Sequence, residues 1–490
     1  MLQARTAIVI GSGFGGLALA IRLQSAGIFT TVIEARDRPG GRAYVWKKGG
    51  YTFDAGPTVI TDPTCLEELW QLSGGSLRED VVLEPVMPFY RLLWDDEISF
   101  DYSNDEAALY AEIAKLAPTD IDGYGSFLDY ARSVYNEGYV KLGAVPFLRF
   151  SSMIKAAPAL IKHQAWRSVY DLVSTYVRDD KLRQALSFHT LLVGGNPMKT
   201  SSIYALIHHL EKSGGVWYAK GGTNALVAGM VALFERLGGT LILGETVSRI
   251  LHSDNRVTGV VTASGRTLTA DMIASNGDLV HSYGLIAGSD YAARRVRALK
   301  RKRFSPSLFV VHFGLKGDFP EIAHHSILFS RRYAPLLEDI YDRGALAPDP
   351  SIYLHHPSAT DANMAPTGKA TFYALAPVPH LGKAPVDWEV EGPRYRQLVL
   401  ERVQKMLVPD LFERLEICFH YTPQNFAEDL GAHLGSAFSL EPVLTQSAWF
   451  RAHNRDENFP NLYFVGAGTH PGAGIPGVVG SAKATASLML

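Results

Sequence analysis

Cysteine is almost missing from this 490-residue chain, which carries only Cys65 and Cys418. Two thiols exclude a disulfide framework and a cysteine-built metal site, and they suit a reducing cytosol. An excess of one charge is missing too: 47 Lys and Arg stand against 49 Asp and Glu, a formal net charge of −2. That balance supplies no global attraction for nucleic acid, which is not an expected partner. Long apolar runs are lacking as well, and without a stretch of about 18 uncharged apolar residues no membrane-spanning helix is expected. Only six residues precede the first strand-like run, so no signal-peptide core separates from that strand and no cleaved signal is read. What is present is 47% hydrophobic residues over 490 positions, enough for a large core and for two domains with room for a third insert.

The chain opens on a constellation of glycines. Ala7 to Ile10 is apolar and partly β-branched, the pattern of a fully buried strand. Gly11, Gly13 and Gly16 follow at once, with Phe14 and Gly15 among them. Gly11 permits the tight turn, Gly13 lets a pyrophosphate approach the main chain, and Gly16 lets the next helix pack closely on the sheet. The phosphates then meet free N–H groups at the helix start. Leu17, Ala20, Ile21 and Leu23 give that helix an apolar face, and Gly27 sits where a C-terminal cap belongs. The second strand, Ile28 to Ile33, ends in Glu34, placed to accept hydrogen bonds from ribose hydroxyls and to repel a 2′-phosphate. Such glycines can serve packing alone, but here strand, turn, helix, strand and acidic end fall in order. Six residues past Glu34 come Gly40, Gly41 and Arg42, where a close backbone approach and a guanidinium suit a diphosphate. That second element, unusual in NAD-dependent dehydrogenases, points to bound FAD, and neither cysteine has a motif for covalent attachment.

Farther along, the chain is expected to leave and re-enter the nucleotide domain. That domain is read as 1–75, 215–300 and 440–490, a substrate domain as 76–104 and 301–439, and a helical insert as 105–214. Val216 to Leu226 is read as opening a helix that Gly238 and Gly239 stop. Strands are read at Thr240 to Leu243 and Ala270 to Asn276, with a hairpin from Glu245 to Ala263 laid beside the nucleotide. The apolar runs between Ser307 and Thr422 read as a mixed sheet, free of repeats and punctuated by proline turns at Pro348 to Pro350 and Pro377 to Pro379. From Gly466 to Gly480 an apolar strand enters a glycine loop and a small-residue helix leaves it. The free N–H groups and positive helix end there suit the flavin N1 and C2 carbonyl. His470, in that loop, reads as a polar lining or loop residue rather than a catalytic group. The residues expected at the cofactor are Gly11, Gly13, Phe14, Gly15, Gly16, Glu34, Gly40, Gly41, Arg42, Gly56, Val247, Gly466, Gly468, Gly474, Ile475 and Pro476. No metal and no catalytic triad is read.

Between Gly138 and Tyr170 there is no Asp or Glu, while Lys141, Arg149, Lys155, Lys162 and Arg167 are interleaved with Phe147, Leu148, Phe150, Met153, Ile154, Leu160, Ile161 and Trp166. A basic amphipathic face of this kind can lie in the headgroups of an anionic bilayer, or be an ordinary solvated helix with a core-facing stripe. The basic run from Arg294 to Arg303 reads first as a solvated helix end.

The chain resembles the bacterial phytoene desaturase family of carotenoid FAD oxidoreductases, related more distantly to amine oxidases and protoporphyrinogen oxidase. The resemblance rests on Gly11 to Arg42, Phe53 to Pro57, Tyr139 to Gly143, Leu192 to Pro197, Trp217 to Gly222, Tyr373 to Pro379, Gly435 to Phe438, Glu441 to Arg451 and the C-terminal glycine run. It spans essentially the whole chain. It implies an α/β fold with a Rossmann-type FAD-binding domain of the glutathione-reductase and amine-oxidase kind, a mixed-sheet substrate domain and a helical insert. It also implies non-covalent FAD and the desaturation of 15-cis-phytoene, through partly desaturated carotenes, towards all-trans-lycopene. Hydride transfer from an allylic C–H to flavin N5, followed by loss of the adjacent proton, is the implied chemistry. A substrate without a polar handle calls for an apolar tunnel, with Phe438, Trp449 and Phe450 as candidate lining. Oxygen or a membrane quinone is the expected electron acceptor, since no second complete glycine motif is present for NADPH. A cytoplasmic protein held peripherally on the inner membrane face is expected. Alternatives within the family are a C30 or neurosporene desaturase, an isomerase or a ketolase. A non-catalytic prenyl-lipid-binding protein on the same fold ranks lower. An amine oxidase, for which an aromatic cage and often a cysteine for covalent flavin are expected, is disfavoured, since no such cysteine lies near the C-terminus.

Overall fold

Five parallel strands collected from three distant stretches of sequence form the sheet that carries the first glycine turn. In the computed structural model, which describes residues 5–490, Thr6–Ile10 lies at its centre, paired on one side with Phe29–Ile33 and on the other with Met272–Ser275. Thr240–Ile242 extends the first side and Leu462–Phe464 the second. The chain therefore does leave this layer and return to it twice. Helices Phe14–Ser25, Thr223–Arg236 and Ile475–Met489 supply side chains to one apolar core with the sheet, including Leu17, Ile21, Leu226, Met230 and Val479. Each such side chain contributes about 1.5–3 kcal/mol by leaving water. Helix Thr223–Arg236 starts later than the sequence pattern suggests. Trp217–Ala219 forms a short strand against Leu83–Pro85, because Gly221 and Gly222 both take positive φ and turn the chain before the helix begins.

A seven-stranded sheet forms the second layer, mostly antiparallel with a single parallel pairing between His325–Leu328 and Tyr90–Leu93. At its heart Ser307–Lys316 pairs with Lys369–Val378 over ten residues. The expected turn at Pro377 to Pro379 is displaced by that pairing: Pro377 lies in the strand, opposite Leu308. It is tolerated there because the neighbouring strand on the other side, Ile352–His355, pairs only as far as Leu375, so the proline's missing N–H faces no partner. The segment 105–214 is helical as expected, with Glu106–Leu116, Ile121–Tyr135, Ser151–Lys162 and Leu206–Gly214 as its longer elements. Among the described residues no helix is long and apolar enough to cross a membrane.

Candidate functional site

The first turn is built by backbone crowding that only glycine satisfies. Gly11, at φ 93°, donates its N–H to Ile33 O at 2.8 Å and so ties the turn to the end of the second strand. A Cβ on Gly16 would stand 2.1 Å from the Gly11 carbonyl oxygen, so the helix can pack this closely only without one. Gly13 begins the helix and no side chain caps it, which leaves first-turn N–H groups for an outside acceptor. At the strand end Glu34 Oε2 accepts from both the N–H and the hydroxyl of Ser12, at 2.8 and 2.7 Å, and Oε1 accepts from the Arg36 N–H at 3.0 Å.

Across from this turn sits the second glycine pair. Gly40 donates to Ser12 O at 3.1 Å, and a Cβ on Gly41 would touch Gly13 Cα at 3.5 Å. Arg42 lies deep in the protein, where lost solvation lowers its pKa, yet it keeps exposed surface. Both are true because that surface opens inward, onto a cavity that Arg42 lines.

The C-terminal loop approaches the same point from another side. Asn276, at the end of Met272–Ser275, is wedged between the two loops. A Cβ on Gly13 would meet its Nδ2 at 2.8 Å, and one on Gly15 or Gly466 would meet its Oδ1 at 2.7 or 2.6 Å. Sequence reasoning missed this residue; a polar side chain at the carboxyl end of a parallel strand was the available signal. The Ser481 hydroxyl lies within hydrogen-bond reach of the Gly466 N–H at 3.1 Å and of the Thr469 hydroxyl at 2.7 Å, which pins the loop to the last helix. That helix starts at Gly474, again without a side-chain cap, and presents Ile475 and Pro476.

All these elements face one cavity of about 830 Å³. Gly11, Gly13, Phe14, Gly15, Glu34, Gly40, Gly41, Arg42, Gly56, Val247, Gly474, Ile475 and Pro476 line it. Gly16, Gly466 and Gly468 are not among the lining residues, and a Cβ on Gly468 would meet Leu279 at 2.8 Å. From the nucleotide turns the cavity continues along apolar side chains of the second sheet and the insert, among them Leu308, Leu375, Leu160, Phe188 and Phe438. Trp449 and Phe450 are not lining residues. Their short helical turn directs Trp449 onto Phe150 at 5.0 Å, and Phe450 stays 40% exposed on the outside. His470 lines the cavity, donates Nε2–H to Leu142 O at 2.9 Å, and is held neutral by burial, down to about 4. Its other nitrogen is unpartnered but sealed from the cavity, which leaves His470 a loop-fixing residue.

Polar groups on this wall form a network that the sequence did not announce. Thr58 Oγ1 lies 2.8 Å from Tyr353 Oη and 2.6 Å from Tyr373 Oη, and Tyr353 Oη lies 2.8 Å from His325 Nδ1. Behind them one ring nitrogen from each of His324, His325 and His355 falls within 4.8 Å of the others. The rings of His325 and His355 stack at an interplanar angle of 21°, so their in-plane lone pairs run side by side instead of converging as metal ligands do. His355 Nε2 stands 3.4 Å from Asp54 Oδ2, but burial pushes Asp54 up to about 7 and His355 down to about 3, so the contact is a neutral hydrogen bond and not an ion pair.

Two uncapped helix starts, two glycine cradles that a Cβ would fill and a buried carboxylate at the second strand end suit a dinucleotide, and the apolar continuation suits a flavin with a lipophilic substrate beside it. Comparison with known proteins agrees. Residues 14–490 match the family described as flavin containing amine oxidoreductase. The chain is 60% identical over 488 residues to a lycopene-forming phytoene desaturase of Paracoccus sp., covering 99% of this chain and 97% of that protein. It is 54% identical over 483 residues to the lycopene-forming phytoene desaturase of Pantoea ananas, covering 98% of each. Among solved structures, putrescine oxidase bound to putrescine superposes with a TM-score of 0.66 at 15% identity, covering 99% of this chain and 98% of that one, a likeness of fold alone.

Proposed function

Since the chain belongs to the flavin-containing amine oxidoreductase family and matches lycopene-forming phytoene desaturases over its whole length, we infer that it is an FAD-dependent oxidoreductase that desaturates phytoene towards lycopene. The single observation that carries this reading is the cavity itself: one space runs from the glycine turns and Glu34 to a wall made mostly of apolar side chains. FAD, when bound, supplies the two-electron acceptor for a hydride from an allylic carbon. Glu34 and the Gly11 turn are the residues to hold its ribose and pyrophosphate, with Gly40 to Arg42 on the other side of the diphosphate. The uncapped start of Ile475–Met489 would stabilise negative charge that accumulates on the ring. The apolar wall positions the polyene and excludes water from the cation that hydride loss creates. In this division 1–75, 215–300 and 440–490 hold FAD, 76–104 and 301–439 hold the carotene, and 105–214 closes the cavity.

Oxygen or a quinone is our proposed final acceptor, and a membrane surface the proposed source of substrate. A specific observation supports the second point. Ile154 and Ile161 of helix Ser151–Lys162, and Trp166 in the turn after it, are 64, 65 and 64% exposed, while Met153 and Leu160 of that helix line the cavity. Apolar surface left in contact with solvent on an element that walls the cavity, interleaved with exposed Lys155 and Lys162, suits the headgroup layer of an anionic bilayer on the cytoplasmic side. Reconstitution with FAD, phytoene-loaded liposomes and either oxygen or a quinone, followed by chromatography of the polyenes, tests the whole reading. Lycopene is the expected end product; absence of any conjugated product sinks it, and arrest at neurosporene or turnover of only a C30 chain moves it to a sister activity.

A further inference from the structure

Each desaturation releases a proton inside an apolar cavity, and the residues so far described do not receive it. Resting on the desaturase reading above, we propose that Tyr353 takes up this proton and hands its own to His325, making the Thr58–Tyr353–His325 chain the base of the reaction. The stretch leading to Thr58 connects the two halves of the site. Gly56 abuts Arg42, where a Cβ would meet Arg42 O at 3.6 Å, and two residues later Thr58 reaches the sheet through Tyr353 and Tyr373. Thr58, Tyr353 and Tyr373 all line the cavity.

Direction in the chain follows from what each group can donate. Burial keeps His325 neutral, far below its ordinary range, so one of its ring nitrogens carries a lone pair. Its Nε2 has no partner and its Nδ1 lies 2.8 Å from the Tyr353 hydroxyl; the relay uses the tautomer in which Nδ1 accepts and Tyr353 donates. Thr58 can then donate to Tyr353 and accept from Tyr373, an ordered run of hydroxyls ending on an imidazole. In the step itself the C–H bond next to the cationic carbon breaks and its electron pair becomes the new C=C π bond. The proton forms a bond to Tyr353 Oη as the existing Tyr353 O–H proton passes to His325 Nδ1, which becomes imidazolium. With the hydride taken up by FAD, the hydride and the proton removed from one CH–CH unit, two electrons and two protons in all, are accounted for.

Glu211 and His470, which share the wall beside the apolar part of the cavity, keep their unpartnered atoms, Oε2 and Nδ1, buried. Glu211 is fully buried, with one carboxylate oxygen accepting the Tyr90 hydroxyl at 2.8 Å and the other 3.0 Å from His189. His470 has its free nitrogen sealed away, as above. Tyr353 is the catalytic residue of the proposal because it lines the cavity and His325 does not; His325, acting through it, is a positioning residue.

The test uses the FAD-loaded full chain with phytoene in liposomes and reads three quantities: FAD retained, turnover, and the solvent deuterium isotope effect on turnover. Tyr353→Phe is expected to keep FAD and lose about 10²–10⁴-fold in turnover, the usual worth of a general base. Wild type is expected to show a solvent isotope effect that the residual activity of Tyr353→Phe lacks. Tyr395→Phe, whose ring packs on Phe309 in the core of the second sheet and does not line the cavity, is the control and is expected to keep most of its turnover. A Tyr353→Phe protein with near wild-type turnover, or equal losses in the two variants, overturns the proposal. Should Tyr353→Phe fail to hold FAD, His325→Asn decides on the same isotope readout: an undiminished effect overturns the relay, its loss supports it. Wild type inactive on phytoene would sink the desaturase reading, whereas active wild type beside unimpaired Tyr353→Phe sinks only the relay.

Discussion

Glu34 and Ser12 are clasped at two points: one carboxylate oxygen accepts both the backbone N–H and the hydroxyl of Ser12, at 2.8 and 2.7 Å. The end of the second strand is thereby locked to the middle of the first glycine turn. The same carboxylate lines the cavity, so its position towards a ribose is fixed by the protein and not by the ligand.

Replacing Glu34 should accordingly hurt FAD more than fold. Glu34→Gln removes the charge and one of the acceptor oxygens, and FAD affinity should drop by about 10- to 100-fold, the range of a lost charge-assisted hydrogen bond. Fluorescence titration of the apoprotein with FAD measures this. An unchanged affinity would show that the ribose lies elsewhere.

Gly16→Ala should fail for a packing reason. Its Cβ would stand 2.1 Å from the Gly11 carbonyl, which is backbone and cannot swing aside. A loss of roughly 1–3 kcal/mol in stability is expected from such overpacking, read as a lower urea midpoint in the FAD-free protein. Gly27→Ala has open space and differs: it tests only the strain of φ 80°, which should cost about 1 kcal/mol or less.

Acid should destabilise the fold well before carboxylates are protonated. His312 and His355 are held down to about 3, and His356 and His470 to about 4, whereas unfolded histidines titrate near 6.5. Between about pH 4 and 6.5 the unfolded chain binds these protons and the folded one does not, so stability rises with pH there and is lost on acidification. Asp54, raised to about 7, works the other way: folded it keeps a proton that the unfolded chain has lost, which lowers stability as pH rises from about 4 to 7. Four histidines outweigh one carboxyl, so the urea midpoint should fall steeply from pH 7 to pH 5. Asp54→Asn should steepen that fall and raise the midpoint at pH 8; a flat profile would contradict the buried neutral histidines.

The exposed face of helix Ser151–Lys162 makes a separable prediction. Ile154→Asp with Ile161→Asp should abolish co-sedimentation with anionic vesicles and slow turnover of liposomal phytoene, with FAD content unchanged. Undiminished vesicle binding would move the membrane contact to another face.

How much was legible beforehand can be judged residue by residue. The glycine turn, Glu34 and the uncapped helix starts are short-range features: a positive φ, a missing Cβ or a strand-end carboxylate acts within a few residues, so spacing alone exposed them. Spacing groups Gly466 and Gly468 with the cofactor residues, whereas the cavity lining does not include them; what a glycine makes room for depends on a neighbour distant in sequence, here Asn276 and Leu279. Trp449 and Phe450 were candidates for the tunnel and face outward, since a side chain's direction on a short irregular turn leaves no periodic trace.

By itself, then, the sequence determined the cofactor class, the α/β layer that holds it and, through its blocks of family likeness, the polyene chemistry. Local backbone constraints and hydrophobic periodicity are written residue by residue. Only the tertiary structure decided which distant groups meet: that Asn276 wedges the two loops apart, that Arg42 opens inward, and that Thr58, Tyr353 and His325 join in one chain. Those contacts span up to 295 positions between Thr58 and Tyr353, and nothing in either neighbourhood encodes the other. They exist because two separately patterned sheets bury their apolar faces around one cavity, and the polar groups left on its walls pair with whatever partner the packing brings within reach.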